Sequence, residues 1–387
     1  MTEMTSIVRI YYIRAMSSSR KILILCDKNS KTSFGRLSLN MRDAFLMAGI
    51  TAKVLWLVTP EYFKEGNPIG EDFIRASSLE WGLFSYRKKF SDYLSRNPAD
   101  IIIWIRPELS FLIPVAKKAQ PKARTIVMVH DTFAETLYPH SLKFRLINCF
   151  FTRHTKAADT YLFNSRYTSR ESDLYFGKPR NPGAVIAHPV NSKSFFQKNG
   201  MLSLEEKKYF WEKFGVQGFR GVALNVSLDE PRKNLNTFFK MAELRPDVAF
   251  VRVGSLRPDT AKKLEEKKLS NVFHFKNISE ETLADFYRNA SVFVFPSLLE
   301  GFGLPPIEAL ACGTAPIAAR TSAIAENLTG VVPLVSDPEN AEEYVLLLDR
   351  VLRGEDIVDW SAALKLIERC SMASFSRGLS QFIYTLS

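Results

Sequence analysis

Short apolar runs, each closed by turn residues, recur along the first half of the chain. They predict buried strands over Arg20–Cys26, Thr51–Val58, Asp100–Ile105, Arg124–Val129 and Thr160–Phe163. Stretches with helical spacing lie between them, for example from Leu37 to Met47 and from about Trp81 to Leu94. Apolar strands that alternate with helices are typical of a doubly wound parallel sheet, so we expect an α/β domain here.

The second half repeats this plan. Strands are predicted over Gly221–Val226, Val248–Val253, Val272–Phe275, Ser291–Phe295 and Ala315–Ala319, with helices at Leu235–Leu244, Glu280–Asn289 and Ala341–Leu352. An amphipathic helical tail follows from Trp360 to Leu386. We therefore expect two Rossmann-like doubly wound domains: an extension over 1–19, a first domain over 20–195, a second over 196–365 and a terminal helix over 366–387.

Residues 295–313 combine a strand end, a glycine loop and a helix start. The two glycines, Gly301 and Gly303, can bring bare backbone close to a ligand, and the proline pair after them suits the first turn of a helix. Unpaired N–H groups and the positive end of the helix dipole would make an anion pocket. Glu300 in the loop and Glu308 on the helix's first turn flank this pocket. An anionic ligand that carries hydroxyl groups would suit it; two solvated glutamates on an ordinary turn are the alternative.

Composition places the chain among globular proteins. Of its 387 residues, 46% are hydrophobic and 24% charged, and no apolar run approaches the ~20 residues that a spanning helix needs. Residues 1–19 mix apolar and charged positions, so we expect an extension or a non-native start before Met16 rather than a secretory signal. The four cysteines, at positions 26, 149, 312 and 370, are scattered, which favours reduced core residues in a cytoplasmic protein.

The net charge of +11 is concentrated in the first half. Residues 1–200 carry 30 Lys and Arg against 16 Asp and Glu, which gives +14, whereas residues 201–387 carry 22 against 25, which gives −3. A basic first half fits an anionic partner: lipid headgroups, a phosphate-bearing acceptor or nucleic acid. A solvated basic surface without a partner is the equal alternative.

A pair of cations follows the first predicted strand of the second half. Arg232 and Lys233 lie in a strand-to-helix turn, at the crevice where open α/β sheets bind ligands. Two adjacent cations there would neutralise a diphosphate and stabilise the charge that grows on it as a bond to it breaks. Surface cations that cap a helix are the alternative.

The run from Glu300 to Gly313, Glu-Gly-Phe-Gly-Leu-Pro-Pro-Ile-Glu-Ala-Leu-Ala-Cys-Gly, resembles the signature of the retaining GT-B glycosyltransferases of family 4. The likeness covers nearly all of the second half, and the first half matches mainly in architecture. It implies two domains that face each other across a cleft, with the C-terminal helix returning to the first. It also implies transfer of a sugar from a nucleotide-diphosphate donor, either a UDP- or a GDP-sugar.

The resemblance assigns roles to residues of this chain. Glu308 would bind the ribose hydroxyls, Glu300 would lie near the sugar ring, and Arg232 and Lys233 would hold the diphosphate. Some family members carry an arginine or glycine where this chain has Ser227 or the residue after it, and many carry a glycine pair where it has Gly35 alone. The remaining donor contacts would come from Gly35, Ser227, Gly254, Asn277, Ile278, Gly301, Phe302, Gly303 and Leu304.

Histidine 130 follows a buried strand of the first half. The resemblance places His130 against the donor sugar, where a neutral imidazole can hydrogen-bond a hydroxyl without burying a charge. A structural histidine at a strand end, followed by Asp131 as a helix cap, is the equal alternative. His188, next to Pro189, is interpreted as structural.

An aromatic and basic stretch from Leu142 to Arg153 has helical spacing. It would suit a membrane surface, but the core face of a helix is the favoured interpretation. Together with the basic half it keeps peripheral contact with an anionic membrane open, in an otherwise cytoplasmic protein.

The sequence thus predicts a retaining, metal-independent glycosyltransferase that acts on a glycan, a lipid-linked or another hydroxyl acceptor. No Asp-x-Asp occurs in the chain, so we expect no metal and no cofactor, and no specific nucleic acid partner is indicated. A GT-B nucleotide-sugar epimerase would need acid–base residues in the first half beyond His130. An inactive sugar-binding scaffold would be expected to have lost Glu300, Glu308 or the cation pair.

Overall fold

A computed structural model of the chain describes residues 20–27, 32–58, 72–75, 84–133, 142, 152–190, 195 and 202–386. The extension over 1–19, Cys149 and most of the stretch from Leu142 to Arg153 lie outside these residues. The chain forms two compact units, the first running to Pro189 and taking in Met372 onward, the second comprising Val190–Ser371. The divisions predicted after residues 195 and 365 each lie six residues from these points.

The first unit is built on a seven-stranded parallel sheet with the strand order β3-β2-β1-β4-β5-β6-β7. Its strands are β1 (Lys21–Cys26), β2 (Thr51–Val58), β3 (Asp72–Arg75), β4 (Ile101–Trp104), β5 (Arg124–Val129), β6 (Thr160–Phe163) and β7 (Ala184–Val185). Its helices are α1 (Ser33–Met47), α2 (Phe84–Arg96), α3 (Ile113–Ala119), α4 (Arg166–Tyr175) and, from the end of the chain, α13 (Met372–Thr385), with 3-10 turns at Pro107–Leu112 and Thr155–Ala157.

Helix α13 completes the core of the first unit although it lies far away in sequence. Phe375, Leu379 and Phe382 on its inner face join the same buried cluster as β1 and β4. The Ser376 hydroxyl donates to the carbonyl oxygen of Ala44 in α1 at 2.6 Å. The first unit is therefore assembled from both ends of the chain.

The second unit is built on a six-stranded parallel sheet with the order β10-β9-β8-β11-β12-β13. Its strands are β8 (Val222–Val226), β9 (Ala249–Val253), β10 (Val272–Phe275), β11 (Val292–Phe295), β12 (Pro316–Ala319) and β13 (Leu334–Val335). Its helices are α5 (Leu204–Glu212), α6 (Leu235–Leu244), α7 (Pro258–Lys267), α8 (Glu280–Asn289), α9 (Leu304–Ala311), α10 (Ser322–Leu328), α11 (Ala341–Leu352) and α12 (Trp360–Arg369), with a 3-10 turn at Pro231–Lys233.

The predicted plan of two doubly wound α/β domains is confirmed, with two local differences. The predicted helical tail consists of two helices, α12 and α13, and the terminal helix predicted over 366–387 begins at Met372. The chain leaves the second unit between them: the Cys370 carbonyl accepts a hydrogen bond from Val190 N at 2.8 Å, and Met372 already belongs to the first unit. Strand β3 was not predicted, since it is a four-residue edge strand with charged residues at both ends.

The cysteines that the structure describes lie in the core, as predicted. Cys26, Cys312 and Cys370 are buried reduced thiols. Burial raises the pKa of Cys312 to about 12 and that of Cys370 to about 11, so neither is activated as a thiolate. Across the described ranges, no helix has the length and apolar character that crossing a bilayer requires.

Candidate functional site

The strand order of the second sheet changes direction between β8 and β11. The chain passes from β8 to β9 on one side, whereas β11 pairs with β8 on the other, with Val292 opposite Ala223 and Phe293 opposite Leu224. The carboxyl ends of two such strands diverge into loops on opposite faces, and the crevice between them is where open α/β sheets bind ligands. The predicted cations follow β8 and the glycine loop follows β11, so both border this crevice.

Three charged side chains meet there in an ion triad, Arg232–Glu300–Lys233. The Glu300 carboxylate accepts from Lys233 Nζ at 2.5 Å through Oε1 and from Arg232 Nη1 at 3.0 Å through Oε2. Glu300 is 7% exposed and Lys233 8%. Glu230 adds a more exposed carboxylate, 2.7 Å from Arg232 Nη2. The predicted cations and the predicted loop carboxylate are therefore brought together, and in this state they bind one another.

The surroundings hold Lys233 in place. Burial lowers the pKa of Lys233, and the Glu300 carboxylate opposes that shift. The ammonium also lies 5.2 Å from the centre of the Phe295 ring at the end of β11, within range of a cation–π contact. The next residue, Asn234, takes the left-handed conformation at φ 52°, and its amide donates to Pro296 O at 3.2 Å and to Pro338 O at 2.7 Å. The turn that carries the cations is thus fixed from both sides.

The glycine loop is anchored to helix α10. Glu300 N donates to Ser322 Oγ at 2.8 Å, and Asn327 Nδ2 donates to Phe302 O at 2.6 Å. Gly303, at φ 83°, precedes α9 in the left-handed region, which a residue with a Cβ adopts only with strain.

The start of α9 is poorer in donors than we expected. The first three helical residues are Leu304, Pro305 and Pro306, and proline has no N–H, so Leu304 alone among them offers an amide. The anion pocket therefore depends on the loop amides, the helix dipole and the ion triad more than on the helix terminus.

Glu308 lies in the second turn of α9, not in the first turn as predicted, because the helix begins at Leu304. It is half-buried, and its Oε2 accepts from the Tyr287 hydroxyl at 2.9 Å. Burial, with Glu308 beside it, raises the pKa of Tyr287 well above its ordinary value. The phenol therefore stays protonated as a donor and fixes the orientation of the carboxylate. Tyr287 was not predicted, because it lies 21 residues earlier on α8.

The remaining second-unit residues lie at the carboxyl ends of neighbouring strands. Ser227 follows β8 and its hydroxyl donates to Asn225 Oδ1 at 2.9 Å, while Gly254 follows β9 at φ 132°. Asn277 follows β10 at φ 56°, with Ile278 half-buried beside it. Their places along the sheet edge agree with the prediction, and their contacts with a nucleotide stay predictions.

His130 lies in the first unit, after β5, as half of a buried histidine pair. Its Nε2 is 2.5 Å from Ile105 O, and its Nδ1 is 3.3 Å from His188 Nε2. A carbonyl can only accept, so His130 carries its proton on Nε2 and takes one from His188 on Nδ1. Burial, with Arg106 nearby, lowers the pKa of His130 to about 4 and burial lowers that of His188 further below its ordinary value. Both rings are neutral, and both nitrogens of His130 are engaged within the unit.

The same edge of the first sheet carries Asp27 and Arg106, which the sequence did not single out. Arg106 Nε lies 3.6 Å from Asp27 Oδ1, and the guanidinium lies 5.7 Å from the ring centre of Phe34. Phe34 in turn packs against His130 at 4.9 Å between ring centres. Asp27 is the first residue after β1 and Arg106 the second residue after β4, and a charge just past a strand end is the signal that could have found them.

Gly35 was expected in a loop, but it lies in the first turn of α1. Its N–H donates to Thr32 Oγ1 at 3.2 Å, so this amide caps the helix. The helix starts earlier than predicted because Thr32 is an effective N-cap. A role of Gly35 at the donor sugar stays a prediction.

Within the described ranges, no group of three or more His, Cys, Asp and Glu side chains is arranged to hold a metal ion.

Residues 211–369 match the family model of the glycosyl transferases group 1. This range includes the ion triad, the glycine loop and Glu308. This part of the chain is similar to that family.

Relatives and solved structures agree with this assignment. Salmonella typhimurium O-antigen chain mannosyltransferase RfbU is 26% identical over 249 residues, 63% of this chain and 60% of that protein. The MMP alpha-(1->4)-mannosyltransferase of Mycolicibacterium hassiacum is 33% identical over 155 residues, 38% of each chain. The chain spans at most 60% of the length of the first curated relatives that it matches.

The fold extends over nearly the whole chain. The structure of Anabaena HepE in complex with UDP and glucose aligns with a TM-score of 0.75 at 15% identity, covering 95% of this chain and all of that one. WaaG, a glycosyltransferase involved in lipopolysaccharide biosynthesis, aligns with a TM-score of 0.69 at 16% identity, covering 94% and 99%. The two units of this chain therefore have the GT-B fold.

Proposed function

We propose that the chain is a glycosyltransferase that moves a sugar from a nucleotide-diphosphate donor to a hydroxyl acceptor. The observation that carries the proposal is the ion triad, Arg232–Glu300–Lys233. Buried Lys233 and half-buried Arg232 share the Glu300 carboxylate at the strand switch of the second sheet, and Glu300 directly precedes the glycine loop. Burying an ammonium with a carboxylate is costly for the fold. A phosphate group can accept the same hydrogen bonds from both cations, so the site fits an anionic ligand.

The triad would act on the diphosphate. When the donor binds, Arg232 and Lys233 turn part of their hydrogen bonding from Glu300 to the phosphate oxygens. As the bond from the sugar carbon to the diphosphate oxygen breaks, its electron pair goes to the leaving phosphate, and both cations stabilise the negative charge that develops there. Glu300, released in part from the cations, lies close enough to accept from a sugar hydroxyl, and Glu308, oriented by Tyr287, binds the ribose hydroxyls.

Retention of the anomeric configuration follows in this proposal from attack on the same face of the sugar. The acceptor oxygen forms the new bond on the side from which the diphosphate departs, and its proton passes to a phosphate oxygen. No protein nucleophile is needed. The cation pair takes the place of a metal ion, since the chain has no Asp-x-Asp sequence to bridge one to a diphosphate.

The names of the relatives support a donor and an acceptor class. Several relatives are mannosyltransferases, and RfbU is named for an O-antigen chain. HepE was solved with UDP-glucose. We propose a UDP- or GDP-hexose donor and a glycan or lipid-linked acceptor, reached by a cytoplasmic protein whose basic first half contacts an anionic membrane surface.

A thermal-shift screen of UDP- and GDP-sugars, followed by product analysis, tests the proposal. We expect one donor to raise the melting temperature of the protein, and its hydrolysis or transfer to continue in excess EDTA. The anomeric proton coupling of the product reports retention. Failure of every nucleotide and nucleotide-sugar to bind would overturn the function, whereas strict dependence on a divalent ion would overturn only the metal-free mechanism.

An epimerase would convert the sugar without an acceptor, so the same product analysis separates it. That reading needs acid–base groups in the first unit, and both nitrogens of His130 are already held by His188 and Ile105.

A further inference from the structure

Arg252 is a fully buried arginine near the carboxyl end of β9, the second strand from one edge of the second sheet. It occupies the fourth position of β9, opposite Asn225 of β8 and His274 of β10, and is 0% exposed. Its guanidinium donates to three carbonyl oxygens in the loops that follow β8 and β9. Nη1 donates to Gly254 O at 2.5 Å, and Nη2 donates to Ser227 O at 3.2 Å and to Ser255 O at 3.0 Å.

Burying the Arg252 guanidinium costs free energy of folding. Burial lowers the pKa of Arg252 to about 10, although Asp229 lies near enough to oppose the shift. An apolar residue would fill the same space in a sheet without burying a charge. What the guanidinium adds is a rigid fork of donors that holds three carbonyls in one orientation.

The two loops are locked against each other at the same point. Gly254, at φ 132°, lies so close to Ser227 that a Cβ would come within 2.1 Å of the Ser227 carbonyl oxygen. His274 Nε2 donates to the Gly254 oxygen from the other side at 2.5 Å. The position therefore needs a glycine, and its carbonyl is held by two side chains.

In a trans peptide the C=O and the following N–H point in opposite directions. A carbonyl that turns toward Arg252 thus turns the next amide away from the guanidinium. The three carbonyls direct three amides outward, those of Leu228, Ser255 and Leu256. Within the described part of the chain these amides have no protein acceptor.

We propose that Arg252 is a positioning residue whose carbonyl clamp presents the amides of Leu228, Ser255 and Leu256 to oxygen atoms of the donor's nucleoside diphosphate. Successive outward amides make a concave anion-binding surface. The inference rests on the proposed function and deepens it, because it supplies donors where this chain has Ser227 and Leu228 in place of an arginine or glycine.

The charged groups around the clamp agree with this role. Arg257 binds the carboxylate of Asp229 in two ways. Its backbone N–H donates to Asp229 Oδ2 at 2.7 Å, and its Nε lies 3.6 Å from Asp229 Oδ1. The Arg257 side chain is 56% exposed, so a cation stands at the rim of the clamp. A ligand oxygen at the amides therefore meets a compensated carboxylate and an accessible cation.

Amide NMR on the wild-type protein tests the inference directly. We expect the resonances of Leu228, Ser255 and Leu256 to shift when UDP or GDP is added, together with that of Gly303 in the glycine loop. Inorganic pyrophosphate alone would shift them if phosphate oxygens bind there, and uridine or guanosine alone would shift them if base or ribose oxygens do; either result supports the clamp. If Gly303 shifts with the diphosphate and the three amides stay still, the inference is wrong while the function stands. If no amide responds to any nucleotide, both fail.

Variants provide the second measurement. Arg252→Met should raise the Kd for UDP or GDP by about tenfold or more, since up to three amide hydrogen bonds lose their orientation. Arg245→Met is the matched control: Arg245 is another largely buried arginine of this unit, bonded to Asp247 near the opposite edge of the sheet, and its loss should lower the melting temperature without changing the Kd. Gly254→Ala should weaken binding as Arg252→Met does. Equal nucleotide affinity in Arg252→Met and Arg245→Met would overturn the inference.

Discussion

The two units bury different kinds of polar groups at the carboxyl edge of their sheets. In the second unit Lys233 and Glu300 are buried as ions beside half-buried Arg232, which also contacts the more exposed Glu230 carboxylate. In the first unit, beside the Arg106–Asp27 contact, two histidines are buried as neutral rings that satisfy each other and a backbone carbonyl. A neutral hydrogen-bonded pair offers no charge to a ligand, whereas buried ions are costly for the fold and can turn their hydrogen bonds to a charged ligand. The contrast indicates which unit is prepared to bind an anion.

Removing one cation should give the largest effect. Lys233→Ala leaves Arg232 to hold Glu300, so the fold should persist, but the leaving diphosphate loses a buried positive group. We expect a fall of about 10²–10³-fold in kcat. Lys262→Ala, at a lysine whose side chain is 78% exposed on α7, is the control and should retain wild-type turnover. Near-normal turnover of Lys233→Ala would remove the triad from the mechanism.

Neutralising the shared carboxylate tests whether the ligand takes over its charge. Glu300→Gln leaves the buried Lys233 ammonium without its anion, while Arg232 keeps Glu230. This should lower the free energy of unfolding by about 3 kcal/mol. Saturating UDP or GDP should restore more stability to this variant than to the wild type, because the diphosphate supplies the missing charge. Thermal melts with and without nucleotide measure both quantities, and an unchanged melting temperature in the unliganded variant would contradict the prediction.

Acid should destabilise the first unit before the second. The pKa of His130 is about 4 in the fold against an ordinary 6.5, so between these values the unfolded chain binds a proton that the folded chain does not. Stability is therefore lost as the pH falls, by about 2 kcal/mol between pH 7 and pH 5 from this residue. Hydrogen exchange, corrected for intrinsic rates, should show loss of protection around β5 in the first unit before β11 in the second. Equal losses in both strands would count against it.

The smallest effect is expected from a change beside Glu308, the carboxylate proposed to bind the ribose hydroxyls. Tyr287→Phe keeps the ring packed against Phe195 and Phe293 but removes the hydroxyl that orients Glu308. One hydrogen bond of about 1 kcal/mol corresponds to a rise in donor KM of roughly fivefold, with kcat little changed. Steady-state kinetics with the donor identified by the screen would measure this, and an equal loss in kcat would indicate a role beyond positioning.

How far the sequence predicts this molecule depends on the distance over which residues interact. Five of the six strands of the second unit, β8 to β12, were predicted to within one residue, because each is a local apolar run, whereas the two-residue strand β13 was not predicted. The individual members of the triad were also predicted, but their mutual contact was not: Glu300 and Lys233 are 67 residues apart, and only the pairing of β11 with β8 brings them together. The histidine pair spans 58 residues in the same way.

Arg252 and His274 show a second reason why prediction from the sequence fails. Within the sequence, Arg252 and His274 are polar residues that interrupt apolar strands. Their common register across β9 and β10, and the Gly254 carbonyl that both contact, exist only in the folded sheet. The break in the apolar pattern at Arg252 was the available signal.

Helix α13 has a consequence for how the protein comes into being. The first unit lacks Phe375, Leu379 and Phe382 until the ribosome has made the chain up to that point, so its core is still open when the whole of the second unit has been synthesised. Domains usually fold in the order in which they are made. Here the second unit can fold first, because the first unit cannot complete its core until helix α13 has been synthesised.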